Sequence, residues 1–202
     1  MRNFINKFDL KIYGATWFGI LTALLVIPCI LFLPEKFGYE NGLLENLQIF
    51  VLFVGLYLSF SAKTDKKFFI FIGLVLTILI LREINCGRTL FFPVPGVENA
   101  YYRWKDIKYG YLAHPIFGVY ISLVGLYFIK NKLFLNIWNY IKKTKLPFWN
   151  IILMLFGMFL GLYAEHSAHN MVFEEITELL FYVSLIGIIW LYTKNKNFIP
   201  ED

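Results

Sequence analysis

The chain is poor in the residues that usually advertise chemistry. It has 2 cysteines, Cys29 and Cys86, in 202 residues. They form no CxxC pair and have no finger-like spacing, which excludes a disulfide framework and a zinc finger. A single bridge between them is left open by the sequence, although free cysteines are ordinary apolar filler. Histidine occurs only 3 times and charged residues make up 16%. Neither an HExxH nor an ExxH pattern is present. So little charge, with 58% hydrophobic and 20% aromatic residues and a mean hydropathy of +0.61, excludes a soluble domain of this length. Lipid must form part of the solvent.

What is abundant is long apolar runs. Six are read as transmembrane helices, at about 14–33, 43–61, 68–86, 112–129, 148–168 and 173–192. Each has the roughly 20 residues needed to cross the hydrocarbon. The first is too long for the core of a signal peptide, and no small-x-small site follows it. The expected fold is an all-α membrane protein: one six-helix transmembrane bundle over residues 1–202, with short helices lying in the interface. Residues 1–13 place Phe4, Ile5, Phe8 and Ile12 on one helical face among basic residues. Residues 130–145 do the same with Leu133, Phe134, Ile137, Trp138 and Ile141. Both read as interfacial helices.

The net charge of +5 does not point to nucleic acid, because the lysines cluster in loops between helices. Thirteen of the 19 basic residues fall on one side of the six-span topology. That predicts an inner (cytoplasmic) membrane location with both termini cytoplasmic. Ten of the 14 acids fall on the other, outer side.

The polar residues inside the spans gather at that outer end, and ionisable groups in membrane helices are costly and tend to be functional. The fifth span ends in Glu165, His166 and His169. Spacings of three and four residues put side chains on one helical face, and imidazole beside carboxylate is a ligand set for zinc or iron. His114 opens the fourth span and would complete a three-histidine set. The sixth span begins Glu174-Glu175-Ile176-Thr177-Glu178 and continues to Tyr182. The first two acids suit a helix N-terminus. Glu178 lies deeper and needs a partner, a proton or a metal. Glu45 and Gln48 open the second span with the same spacing and enter the same layer.

Arg82, the one arginine within a span, is expected to reach across the bundle to Glu178, Glu45 or Glu165. Adjacent residues diverge on a helix, so Glu83 is the poorer partner. Arg82 could fix helix packing as a buried ion pair, or hold an anion with Arg88 as a second guanidinium. The 87–111 loop, with Pro93, Pro95, Trp104 and several tyrosines, suits a lid over this layer.

Three readings follow. In the first, a metal on His166, His169 and His114 activates water in a hydrolase or transferase. Glu178 or Glu165 serves as base, Arg82 or Arg88 holds a phosphate or oxyanion, and the substrate is a lipid or lipid-linked molecule bound through Glu45, Gln48 and Tyr182. This arrangement loosely resembles the histidine and carboxylate membrane hydrolases of the alkaline ceramidase kind, which have seven spans and share no motif close enough to carry residues across. The order Cys86, Arg88 (or Arg103), His114 also resembles the exosortase membrane transpeptidases. The second reading is a non-catalytic subunit whose polar layer fixes packing. The third is a proton- or ion-coupled transporter, although transporter sites usually lie near the bilayer midplane.

Overall fold

The computed structural model describes residues 7–168, 170–195 and 198. The chain is all-α and 78% helical. Its helices are α1 (Gly14–Phe32), α2 (Leu43–Phe60), α3 (Lys66–Glu83), the short α4 (Arg88–Phe91), α5 (Ala113–Lys130), α6 (Leu133–Lys143), α7 (Phe148–Tyr163) and α8 (Met171–Lys194). A π-helical turn, Ala164–Ala168, continues α7. Five helices are long and apolar enough to cross a membrane, or six if α3 and its continuation are counted as one bent span. Helix α3 carries charge at both ends, in Lys66, Lys67, Arg82 and Glu83, which shortens its apolar stretch. At its end the chain turns by 58°. Asn85, Cys86 and Gly87 all take positive φ there, a conformation that costs energy in the two non-glycine residues.

Helix α8 is the axis of the bundle, and α1, α2 and α7 pack directly on it. One apolar cluster joins Leu52, Leu76, Ile80, Tyr182 and Ile186 across α2, α3 and α8. A second joins Val26, Leu44, Val172, Ile176 and Leu180 across α1, α2 and α8. The contact of α7 with α8 is close because Gly157 has no side chain: a Cβ there would lie 2.6 Å from the backbone N of Phe181. Gly157 and Gly161 form a GxxxG pair, the small-residue spacing that lets helix backbones approach in a membrane. The outer faces stay apolar. Leu24 and Ile27 are each 68% exposed, and among the described residues of α5 only Val124 is buried. Faces this apolar and this open are covered by lipid or another apolar surface.

Two short segments depart from expectation or meet it in part. Residues 7–13 are not helical. Phe8–Asp9 pairs in parallel with Leu146–Pro147, and Phe8 packs edge-on against Phe148 at 5.8 Å. Residues 1–6 lie outside the described residues. The stretch after α5 does form a helix, α6, which buries Leu133 and Tyr140 and leaves Phe134, Ile137 and Trp138 exposed.

Candidate functional site

Antiparallel alternation of the helices brings the start of α2, the end of α3, the end of α7 and the start of α8 to one end of the bundle. This places an acidic layer there. Glu45 and Gln48, one turn apart on α2, are 4% and 0% exposed. The Gln48 Nε2 donates to the carbonyl of Glu175 at 2.8 Å and to its carboxylate at 2.7 Å. One oxygen of Glu45 accepts from the backbone N–H of Asn41. The Tyr182 hydroxyl, 1% exposed, donates to Glu83 at 2.6 Å.

Arg82 joins two of these acids. Its Nη2 donates to Glu178 at 2.7 Å and its Nε to Glu83 at 3.1 Å. The cross-bundle partner is therefore Glu178. The expectation that Glu83 is a poor partner is corrected. Glu83 is the last residue of α3, and the long Arg82 side chain folds back over the helix end, where the rule for adjacent residues in mid-helix does not apply.

A cavity of about 580 Å³ opens beside this layer. Its lining combines the polar Arg82, Glu165, Glu174, Glu178 and Tyr182 with the apolar Leu79, Met158, Leu162 and Phe181. Glycines 157 and 161 also line it, so the close α7–α8 approach forms one side. Glu165 and His166 sit on the π-helical turn, a distortion often found at functional sites. The turn covers Ala164–Ala168, and the expected pairings of Glu165 and His166 with His169 reach beyond the described residues. The His166 ring is exposed, with Nδ1 3.0 Å from its own Leu162 carbonyl and 3.9 Å from Glu165.

A second cavity, of about 460 Å³, lies under the 87–111 loop. Glu40, Arg88, Asn99, Tyr101, Glu174 and Glu175 line it. Arg88 approaches Glu40 at 3.4 Å and stacks over the Tyr101 ring at 5.7 Å. With its amide oxygen turned to the guanidinium, Asn85 accepts from Arg88 at 2.8 and 3.2 Å. The Tyr101 hydroxyl donates to the carbonyl of Glu40 at 2.7 Å, and Asn99 accepts from the Glu40 N–H at 3.1 Å. Burial and the neighbouring Glu40 and Glu45 push the Tyr101 hydroxyl above its ordinary range. Asn99 and Tyr101 thus bring the long loop to the edge of the layer. Glu40, Asn99 and Tyr101 were not among the residues expected there, because only loop-to-loop contact brings them in.

The two described histidines go elsewhere. His114 is exposed and packs against Trp104, with ring centroids 6.2 Å apart, while His166 bonds its own helix. Neither lines either cavity. His169 lies outside the described residues. Among the described residues no group of three or more His, Cys, Asp or Glu is disposed to hold a metal ion. No hydrogen bond or ion pair joins Cys86, Arg88 and His114, and Arg103 pairs with Asp106. Cys29 and Cys86 are both free thiols.

Comparison with protein families, with curated proteins and with solved structures finds no match, so the chemistry of the site rests on its own residues.

Proposed function

We propose that this chain is a six-span protein of the inner membrane, with α6 in the interface and both termini cytoplasmic. We further propose that it is a hydrolase or transferase acting on a lipid or lipid-linked substrate. The observation that carries this reading is the larger cavity, whose lining combines Arg82, Glu165, Glu174 and Glu178 with Leu79, Met158, Leu162 and Phe181. A lining of both kinds suits an amphiphile whose reactive group meets carboxylates while its chain stays in apolar surroundings.

In this reading Glu178, oriented by Arg82, takes a proton from the attacking water or acceptor hydroxyl. Glu165 returns a proton to the leaving group. Arg82 uses Nε and Nη2 on its own acids, which leaves Nη1 to polarise a substrate oxygen. Gln48 holds Glu175, and Glu83 holds Arg82 and Tyr182. A metal-assisted version would need zinc or iron on His166 and His169 with Glu165. Metal analysis of wild-type, His166→Ala and His169→Ala protein decides between the two versions.

The test is turnover of a total bacterial lipid extract in proteoliposomes, read by mass spectrometry. Glu178→Gln should lower product formation by about 100-fold or more while the protein stays folded, since Arg82 keeps Glu83 as a partner. No turnover of any lipid by the wild type, or equal turnover by Glu178→Gln, would defeat the proposal. The rival reading, a non-catalytic subunit, draws on the double engagement of Arg82, which by itself ties α3 to α8. It predicts that Glu178→Gln loses stability and no activity.

A further inference from the structure

The space beside the acidic layer continues into the membrane-spanning part of the bundle. An inner cavity of about 300 Å³ lies between α3, α6 and α8. Its lining follows that of the larger cavity along the same helices. On α3, Leu79 lines the larger cavity and Leu76 the inner one. On α8, Phe181 lines the larger cavity and Leu185 the inner one. Each step is a single helical turn, so the two cavities adjoin.

One face of α8 runs through both. Glu174, Glu178, Phe181, Leu185, Ile188 and Tyr192 each line one cavity or the other. They recur at alternating spacings of four and three residues, which is one face of a helix. All six are half-buried, while Leu180, Ile186 and Leu191 on the packed faces are buried. The seam carries charge only in its first two members. None of the described residues lining the inner cavity is charged.

The seam is stopped at the basic end. Tyr140 of α6 stacks on Phe68 of α3 at 5.2 Å and meets Tyr192 of α8 edge-on at 5.4 Å. These rings make an aromatic floor that joins the two helices. Both tyrosine hydroxyls are engaged outside the cavity, with Asp65 and with the Lys145 carbonyl, which leaves the rings to face it.

This shape selects its occupant. A helix about 10 Å wide with a 5.4 Å pitch fills roughly 400 Å³ per turn, more than the inner cavity offers. A membrane-spanning partner would also have to pass the Tyr140 floor. A hydrocarbon chain needs neither that width nor an exit. Charge confined to one end of the seam fits a molecule with one polar end. From Phe181 to Tyr192 the seam is about 16 Å long. An extended chain advances about 1.2 Å per bond, so about 14 carbons fill it.

We infer that the inner cavity holds the hydrocarbon chain of the amphiphile whose polar group sits in the larger cavity, and that the Tyr140 ring limits its length. This rests on the lipid-site reading above and adds to it the place and the length of the chain.

The test uses full-length protein in phosphatidylcholine proteoliposomes. The probes are straight-chain primary alcohols of fourteen and twenty carbons, each with a diazirine at the chain end. Adducts formed on irradiation are mapped by mass spectrometry. The shorter probe should label Tyr140, Ile141 or Tyr192 about tenfold more than the exposed α1 face around Leu24 and Ile27, and about tenfold more than the longer probe does, the discrimination expected when a chain overruns a closed pocket. Leu185→Trp, which fills the seam midway, should remove that excess. Ile188→Trp, one turn nearer the floor, should do the same and covers the case in which the first variant fails to fold. Leu126→Trp, on the exposed face of α5, should leave it unchanged. Even labelling of α1, α5 and the seam, or seam labelling indifferent to chain length, would overturn the inference. Turnover of the lipid extract by the same preparation separates the two claims. Turnover without preferential seam labelling removes the chain site and leaves the lipid-site reading standing. Seam labelling without turnover keeps the chain site and defeats the enzyme.

Discussion

The two ends of this bundle are built from the same helices and hold their acids in different ways. At the basic end each described acid is held by nearby donors. Asp65 accepts from the Tyr140 hydroxyl at 2.8 Å and from Asn136 at 3.4 Å. Asp9 accepts from the Tyr13 hydroxyl and the Lys11 N–H. Tyr140 stacks on Phe68, and burial with the Asp65 bond pushes its hydroxyl well above the ordinary tyrosine range. The cavity there, about 300 Å³, is walled almost wholly by apolar side chains of α3, α6 and α8, Phe68, Ile72, Ile137 and Ile189 among them. At the acidic end, carboxylates outnumber guanidiniums around both cavities, and Gln48 keeps an unpaired oxygen. Buried polar atoms without a partner occur at both ends, Ser59 Oγ and Asn150 Nδ2 at the basic one. What sets the acidic end apart is its excess of carboxylates over guanidiniums, which is why the proposed chemistry belongs to it.

The harshest way to break this contrast is to part α7 from α8. Gly157→Val would drive a side chain into the Phe181 backbone. The loss should be about 3 kcal/mol, at the top of the range for overpacked sites, and should show as a large drop in the thermal midpoint in detergent. Gly187→Ala, towards the basic end, meets the Asn150 side-chain amide first. A side chain can move where backbone cannot, so it should cost clearly less. Equal losses would mean that the glycine pair does not set the helix spacing.

Arg82→Gln comes next. It leaves Glu83 and Glu178 without their cation and should cost about 2 kcal/mol. Adding Glu178→Gln should recover part of that loss in a double-mutant cycle. Strict additivity of the two changes would show that the 2.7 Å contact carries no coupling.

The helices were legible because long apolar runs leave few alternatives. The second apolar run, 43–61, forms the helix Leu43–Phe60, and the fourth, 112–129, the helix Ala113–Lys130. The convergence of Glu45, Gln48, Arg82 and Glu178 could also be read from antiparallel alternation alone. What escaped the sequence depends on contacts between distant segments or on departures from ideal helix geometry. The pairing of Phe8–Asp9 with Leu146–Pro147 is a long-range backbone match with no local pattern. The π-helical turn that holds Glu165 and His166 has no signature in the apolar pattern. Tyr101 and Asn99 reach Glu40 only because the long loop folds back over the turn at 35–40. The GxxxG pair at Gly157 and Gly161 was a legible pointer to the α7–α8 contact.

The smallest expected effect is the sharpest test of the contrast, because it makes the same change at both ends. Tyr140→Phe and Tyr182→Phe each remove one hydroxyl that donates to a carboxylate, at 2.8 and 2.6 Å. Each should cost about 1 kcal/mol of stability. Only the second should reach the site. Glu83 shares Arg82 with Glu178, so a Glu83 that has lost its tyrosine draws more of the guanidinium and loosens Glu178 at the cavity wall. Tyr182→Phe should therefore change amphiphile binding and turnover, while Tyr140→Phe leaves both at wild-type values. Stability and binding measured on the same two preparations decide it. If both tyrosines affect binding alike, the effect is transmitted by general loosening of the bundle, and the two ends are not as separate as their hydrogen bonds indicate.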